Sequence, residues 1–275
     1  MVKIMDIPFW KMHGAANDFI LVDDRQGAFP VKDSVWISAI TSRRTGVGSE
    51  GVLLIQPSNK ADFRMRFFNP DGGEVDMCGN GARCIARLAS EIGAAPGRMS
   101  IETPAGIVRA EARGGLVQLI MTEPFDWKMN QTIDLDGRSY TYHHVNTGVP
   151  HVVIEVDDLA GTDVHKLGAL IRYHQNFAPK GTNANFIHIS GKDQLHVRTY
   201  ERGVEGETLA CGTGMVACGL IAGRLGRVNP PVKIIPASGD ILEVNYQPTN
   251  DGATNVTLLG PAVHVFQGTL SYIGE

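Results

Sequence analysis

Four cysteines, at positions 78, 84, 211 and 218, are all that 275 residues hold. So few and so scattered, they exclude the disulfide-stapled architecture of small secreted domains. In a reducing compartment each is a buried small side chain, a ligand or a reactive thiol. Structural zinc pairs usually space as Cys-x2–4-Cys; the intervals here are Cys-x5-Cys and Cys-x6-Cys and fit poorly. No apolar run approaches the ~18–20 residues that span a bilayer. The opening MVKIMDIPFWKMHG has an early Lys but no apolar stretch of the length a secretory signal needs. A long basic run is also missing: 25 Lys and Arg against 29 Asp and Glu give a formal net charge of −4. That balance points away from nucleic acid and from anionic membranes. The expectation is a soluble, cytoplasmic protein. Its 43% apolar content is enough to build real cores, in one large domain or two.

What the chain does contain is an internal repeat, and the repeat decides the expected fold. NDFILVDD from Asn17 resembles HVVIEVDD from His151, an offset of 134. GSEGVLLI from Gly48 lies on TNANFIHI from Thr182 at the same offset, matching at its apolar end. Cys78-Gly-Asn-Gly resembles Cys211-Gly-Thr-Gly at 133, and Pro104-Ala-Gly resembles Pro236-Ala-Ser-Gly at 132. Four ordered landmarks at a nearly constant offset describe two similar halves from one duplicated unit. Each half reads as β-strand (Phe19–Val22; Val152–Val156), helix (Ser34–Ser42; Val164–Tyr173) and strand (Phe63–Phe68; Leu195–Tyr200). Then comes the cysteine turn, opening a helix (Ala82–Ile92; Met215–Leu225), and closing strands. Gly93 and Gly226 stand where those helices should stop. CIARLASEI and MVACGLIAG are apolar nearly all round, so each helix should be buried on every side with strands wrapped about it. The expected fold is α+β: two pseudo-symmetric lobes, each a curled mixed or antiparallel sheet around a central helix. Residues 1–122 with 263–275 form the first lobe and 123–262 the second, the run Ala262–Leu270 returning to pair with the first half.

The two Cys-Gly-x-Gly turns carry the chemistry. A thiol at a helix start sits in a positive partial potential that favours the thiolate. The leading amides can hold a carboxylate. Two such turns at equivalent places suggest a thiol on each face of one carbon, the geometry racemisation needs: one base removes an α-proton and an acid opposite returns one. The bland alternative is that Cys78 and Cys211 are ordinary buried cysteines. Cys84 and Cys218, inside the helices, are read as core. Gly46-Val-Gly-Ser-Glu-Gly51 matches GxGxxG but precedes a strand-like run instead of following one, so it is read as a turn.

These segments resemble a known family. KMHGAANDF (Lys11–Phe19), FNPDGGEVDMCGNGARC (Phe68–Cys84) and ERGVEGETLACGTG (Glu201–Gly214) are similar to diaminopimelate epimerase, in order over the whole chain. The resemblance implies an isomerase independent of pyridoxal phosphate and of metals. Such an enzyme interconverts LL- and meso-2,6-diaminopimelate for lysine and peptidoglycan synthesis and acts as a homodimer. It implies Cys78 and Cys211 as base and acid, exchanging roles with direction. The backbones of Gly79, Asn80, Gly212 and Thr213 would cradle the reacting carboxylate. Asn17, Asn69, Asn183, Glu201 and Arg202 would bind the substrate's amino and carboxylate groups, with Glu201 and His151 supporting catalysis. Asn69 and Arg202 each lie nine residues before their cysteine, so the repeat independently sets them at equivalent strand ends. On residues alone, Asn69 could be a turn residue, Arg202 a surface charge and His151 a satisfied core histidine. The chain departs from the family pattern at Ala15-Ala16, where Gly-Leu-Gly is common, and at Val149, where many members have Asn. Gly51 stands where some have a substrate-binding Gln, and Glu205 is extra. Rival readings are another cofactor-independent racemase of proline racemase type, and a non-catalytic redox or ligand-binding thiol protein. Asn80 argues against the former, since that group usually has His there.

Overall fold

A computed structural model describes residues 3–274. The chain divides into two compact units, residues 1–119 with 261–275 and residues 120–260.

In the first unit the elements run β1 (Lys3–Gly14), β2 (Asn17–Asp23), α1 (Ser34–Thr41), β3 (Val52–Gln56), β4 (Phe63–Phe68), β5 (Glu74–Val75), α2 (Gly79–Glu91), β6 (Arg98–Thr103), β7 (Gly106–Arg113) and β8 (Leu116–Ile120). In the second they run β9 (Phe125–Leu135), β10 (Arg138–Asn146), β11 (Pro150–Glu155), α3 (Val164–Arg172), β12 (Asn183–Ile189), β13 (Gln194–Glu201), β14 (Gly206–Thr208), α4 (Gly212–Arg224), β15 (Val232–Ile235), β16 (Leu242–Pro248) and β17 (Ala253–Pro261). The final strand β18 (Val263–Gly274) returns to the first unit and pairs antiparallel with β1 from Lys3↔Gly274 to His13↔Val263.

The duplication is explicit in the strand pairing. The first unit orders its strands β18-β1-β2-β3-β4-β6-β7, with β2–β3 and β4–β6 parallel and the other neighbours antiparallel. The second orders β9-β10-β11-β12-β13-β15-β16, with β11–β12 and β13–β15 parallel. Each parallel step needs a crossover. The outer helix (α1, α3) supplies the first and the cysteine helix (α2, α4) the second.

The strands beneath these crossovers are covered on both faces, which is why VLLI and NANFI read as apolar runs without strict alternation. Val52 and Leu54 of β3 face the α1 core, with Ile20, Ile37 and Phe68. Ala184 and Phe186 of β12 face the α3 core, with Ile154, Ile171 and Tyr200. The alternate residues, Leu53 on β3 and Asn183, Asn185 and Ile187 on β12, point the other way. Leu53 and Asn185 lie against glycines of α2 and α4 respectively. Both cysteine helices are enclosed as their composition requires. Ala82, Cys84, Ile85 and Leu88 are solvent-free in α2, as are Val216, Ala217, Cys218 and Ile221 in α4. Gly93 and Gly226 follow the helix ends in the left-handed region (φ 67° and 69°), the conformation that stops a helix.

Two features differ from the sequence expectation. The helices begin at Gly79 and Gly212, three residues before Ala82 and Met215, so each cysteine is the N-cap. Glycines at the first helical positions cost little there, because amides of the first turn have no partner within the helix. The long hairpin β9–β10 has no clear counterpart in the expected strands. Phe125–Leu135 is solvent-facing over most of its length and interrupted by Asp126 and Asn130 at positive φ (53° and 52°), so no apolar period marks it.

Candidate active site

In the first unit Cys78 caps α2 in an extended conformation (φ −139°). Its thiol gives no side-chain cap to the helix. Asp33, by contrast, caps α1 through its carboxylate on the Trp36 amide. The Cys78 sulfur is 3.9 Å from Asn17 Oδ1. Asn17 is held there by a two-residue hairpin, Gly14↔Asn17, whose turn residues Ala15 and Ala16 both have positive φ (55° and 62°). Two alanines thus occupy the left-handed region without glycine's freedom and carry the strain of that conformation. Lys11 clamps the hairpin by binding Asp18 and the Gly48 carbonyl, and Arg43 bridges Asp18 and Glu50. Asn80, buried in the first turn of α2, accepts from Arg83 Nη2 at 2.9 Å, and Arg83, with no solvent exposure, also donates to the Pro261 carbonyl. Asn69 follows the last residue of β4 and opens a turn closed by Gly72 N→Asn69 O and Asn69 N→Gly73 O. Gly51 has no room for a larger side chain: a Cβ there would stand 2.3 Å from the Phe68 carbonyl.

In the second unit Cys211 caps α4 in the same extended way (φ −113°), again without a side-chain cap. Glu201 and Thr213 are among its side-chain partners. Its thiol hydrogen-bonds the Glu201 carboxylate, and its sulfur is 3.6 Å from Thr213 Oγ1. Glu201 ends β13 and also accepts from Thr208 Oγ1 at 2.9 Å. Burial raises its carboxyl pKa above the ordinary 4.5, against the pull of those two hydrogen bonds. A carboxylate shifted towards the thiol range takes a thiol proton more readily. His151 on β11 is fully buried, with Nε2 3.0 Å from Thr213 Oγ1 and Nδ1 3.2 Å from Asn185 Nδ2. Burial, and then the charges of His144 and Arg202, lower its pKa to about 3, so it is neutral at working pH. Thr147 Oγ1 holds the Thr213 carbonyl at 2.9 Å.

Asn183 opens β12 beside His151 and spends Oδ1 on the Arg202 amide (2.8 Å) and one N–H on the Pro150 carbonyl (3.0 Å). It therefore sets the strand end from which Arg202 projects. Arg202 is half-buried; its guanidinium donates to the Lys180 carbonyl at 3.3 Å and has no carboxylate partner among the described residues. Glu205, the extra residue, sits at positive φ (57°), accepting from Arg172 and from the Gly203 amide, so it shapes the turn after Arg202.

The expected residues other than Asn69, which is held in its own turn, fall into two sets. Asn17, Asn80 and Cys78 gather at the start of α2, with Gly79. His151, Asn183, Glu201, Arg202 and Thr213 gather about Cys211 and Gly212. Cys84 and Cys218 lie inside the helices, where burial raises Cys84 to about 12 and Cys218 well above its ordinary value. Asn185, Thr199, Thr208 and Arg83 join these groups without having been expected from the sequence. Asn185 did leave a signal: an amide two residues after Asn183, on the same face of an otherwise apolar strand.

A family model for diaminopimelate epimerase matches residues 9–124 and 143–265. The chain belongs to the diaminopimelate epimerase family. Among curated members, the diaminopimelate epimerase of Aquifex aeolicus is 40% identical over 275 residues, covering 96% of this chain and 97% of the relative. That of Archaeoglobus fulgidus is 42% identical over 280 residues, covering 97% of each. Solved structures extend the fold further afield. A Bacillus anthracis phenazine biosynthesis protein of the PhzF family superimposes with a TM-score of 0.73 at 18% identity, over 97% of this chain and 99% of that one. A hydroxyproline epimerase from Agrobacterium vitis does so with a TM-score of 0.70 at 17% identity, over 97% and 92%. At such identities the likeness concerns the fold alone.

Proposed function

We propose that this chain interconverts LL- and meso-2,6-diaminopimelate by a two-base reaction in which Cys78 and Cys211 serve opposite faces of the α-carbon, one thiol from each unit. Membership of the family gives the substrate. The observation that carries the mechanism is that both units put a thiol at the N-cap of their enclosed helix.

The α-proton of an amino acid is very weakly acidic, so the carbanion must be stabilised electrostatically. The leading amides of α2 and α4, at Gly79, Asn80, Gly212 and Thr213, suit the reacting carboxylate, which they would hold while negative charge develops beside it. In one direction Cys211 passes its proton to Glu201, the thiolate takes the α-proton, and the Cys78 thiol donates to the opposite face. In the other direction the thiols exchange roles. The forward step leaves Cys78 as thiolate and Glu201 protonated; return of that proton to Cys78 through solvent closes the cycle, and every step uses the chain's own groups and water, without pyridoxal phosphate or a metal. Arg202 suits the distal carboxylate, where its fork can bind both oxygens. Asn17 and Asn69 suit the amino and carboxylate groups on the Cys78 side.

Four unbridged cysteines fit a reducing cytoplasm. The exposed Ile4 and Ile273, paired across β1 and β18, with Val265 and Phe266 on the same strand, favour a homodimer through this edge.

The test is incubation with LL-diaminopimelate in D2O without added cofactor. Deuterium should enter the α-position as meso product forms, and Cys78→Ala and Cys211→Ala should each abolish product while the fold survives. Turnover persisting in either variant would rule out the two-thiol mechanism.

A further inference from the structure

The polar groups behind Cys211 form a chain whose direction can be worked out atom by atom. It starts from Asn185, fully buried on β12. One end of its amide lies 2.8 Å from the Val152 carbonyl. A carbonyl only accepts, so that end is the NH2 group. The other end is the amide oxygen, and Thr199 Oγ1 donates to it at 3.0 Å. The NH2 group that serves Val152 also faces His151 Nδ1 at 3.2 Å. Nδ1 must therefore accept, and a neutral imidazole then carries its proton on Nε2. Nε2 faces Thr213 Oγ1 at 3.0 Å and donates to it. With that lone pair taken, the Thr213 hydroxyl proton is left to point at the Cys211 sulfur, 3.6 Å away.

We propose that Asn185 is a positioning residue for the reaction: by donating to Nδ1 of His151 it fixes the Nε2–H tautomer, and so makes the Thr213 hydroxyl a donor to Cys211. His151 then acts as a neutral relay and not as a proton acceptor. The thiol gives its proton to Glu201, and the sulfur that remains is met by the Thr213 hydroxyl, a charge-assisted bond that favours thiolate.

Two further observations fit. The burial of His151, and after it repulsion from His144 and Arg202, disfavours imidazolium. And Gly214 has no side chain where Asn185 stands: a Cβ there would lie 2.6 Å from Asn185 Oδ1. Among the described residues of the first unit, the positions equivalent to this chain of groups hold other side chains. The repeat lays Asn185 on Gly51 and His151 on Asn17, so Cys78 meets an amide directly. The two thiols are therefore tuned differently in a fold that is otherwise doubled.

The consequence for turnover rests on the epimerase reading above; the tautomer and the thiol's titration do not. The experiment uses the full chain labelled with 15N-histidine at pH 7, His151 being assigned by the loss of its signals in His151→Gln. Nδ1 should give a pyridine-type signal and Nε2 a pyrrole-type signal. In Asn185→Asp, at most one proton faces both Val152 O and His151, so Nδ1 should become protonated. In parallel, the alkylation rate of Cys211 is followed against pH by peptide mass spectrometry. The midpoint should rise by about one pH unit or more, a tenfold loss of thiolate below it, in Asn185→Asp and in Thr213→Val. It should stay at the wild-type position in Thr213→Ser. A pyrrole-type Nδ1 in the wild-type protein would overturn the proposal. So would an unchanged midpoint in Thr213→Val, a pair with Thr213→Ser that decides the matter even where Asn185→Asp fails to fold. If the tautomer is as stated but diaminopimelate is not turned over, the reaction is wrong and the relay stands.

Discussion

The two Cys-Gly-x-Gly turns look alike in sequence, yet their last glycines sit against different neighbours. A Cβ on Gly81 would meet the two methyls of Leu53 at 3.1 and 3.3 Å, ends of a flexible side chain that can give by tenths of an ångström. A Cβ on Gly214 would meet Asn185 Oδ1 at 2.6 Å and the Cys211 Cβ and sulfur at 3.3 and 3.4 Å. Both changes to alanine gain roughly 1 kcal/mol of helix propensity. In Gly81→Ala little opposes that gain, so stability should stay level or rise slightly. In Gly214→Ala the Asn185 amide must retreat by roughly 0.8 Å to reach ordinary contact, in a core already filled. It is tied at 2.8 Å to Val152 O, 3.0 Å to Thr199 and 3.2 Å to His151. Breaking two of these in a site closed to water costs about 1–3 kcal/mol each. After the propensity gain, a net loss of about 2 kcal/mol remains. For a chain of this size that lowers Tm by roughly 4–8 °C. Thermal unfolding of the two single variants, followed by circular dichroism, measures the difference directly. If Gly214→Ala is as stable as Gly81→Ala, Asn185 is not wedged against α4, and the reasoning that runs through it loses its anchor.

Much of the architecture was open to reading because the chain states it twice. Phe63–Phe68 falls on β4 as expected, and Ser34–Ser42 and Val164–Tyr173 fall on α1 and α3 to within a residue. These elements are short, bounded by turn residues, and apolar where they touch a core. The cysteine helices were legible from their all-round apolar composition, which admits no exposed face. What sequence could not display is structure held by something other than apolar period. The β1 strand contains Pro8, a residue that argues against a strand interior, and tolerates it where β1 is paired on one side alone: β18 runs beside it there, while β2 pairs with β1 only from Trp10 to Gly14. The β9–β10 hairpin is largely exposed. At the site, the motif glycines and cysteines stand out in the sequence. The polar groups behind them do not: Asn185 and Thr199 are single residues in apolar strands, and their meaning lies in which atom faces which.

Three further outcomes follow from the site. Native alkylation at pH 8 should mark Cys78 and Cys211 well before Cys84 and Cys218, since a thiol at about 12 is ionised in roughly one molecule in 10⁴ at that pH; Cys84→Ala and Cys218→Ala should retain turnover, and rapid native labelling of Cys84 would refute the assignment. Arg202→Lys keeps the charge but loses the fork, so KM for diaminopimelate should rise roughly tenfold or more with a smaller change in kcat; equal racemisation of lysine, which lacks the distal amino-acid end, would show that Arg202 does not read it. The last concerns acid. His151 is held at about 3 in the folded chain against an ordinary 6.5. Between those values the unfolded chain binds a proton that the folded chain refuses, so stability is full above pH 6.5 and falls as pH drops through that window. At pH 5 the loss is about 2 kcal/mol from this residue, at 1.36 kcal/mol per pH unit. His143 and His144, also lowered by burial, add to it with the same sign. Carboxylates held below their ordinary values, such as Asp18, Glu74 and Glu91, contribute only further down, as pH approaches 4.5 and below. Glu201, whose pKa is raised, acts in the opposite sense, its burial penalty being relieved as it protonates. The range from pH 6.5 to 5 therefore belongs mainly to the histidines. Urea unfolding across it should show a falling stability whose slope flattens by about one proton in His151→Gln. An unchanged slope in that variant would mean that the imidazole is charged in the folded chain, and a charged imidazole cannot accept from Asn185.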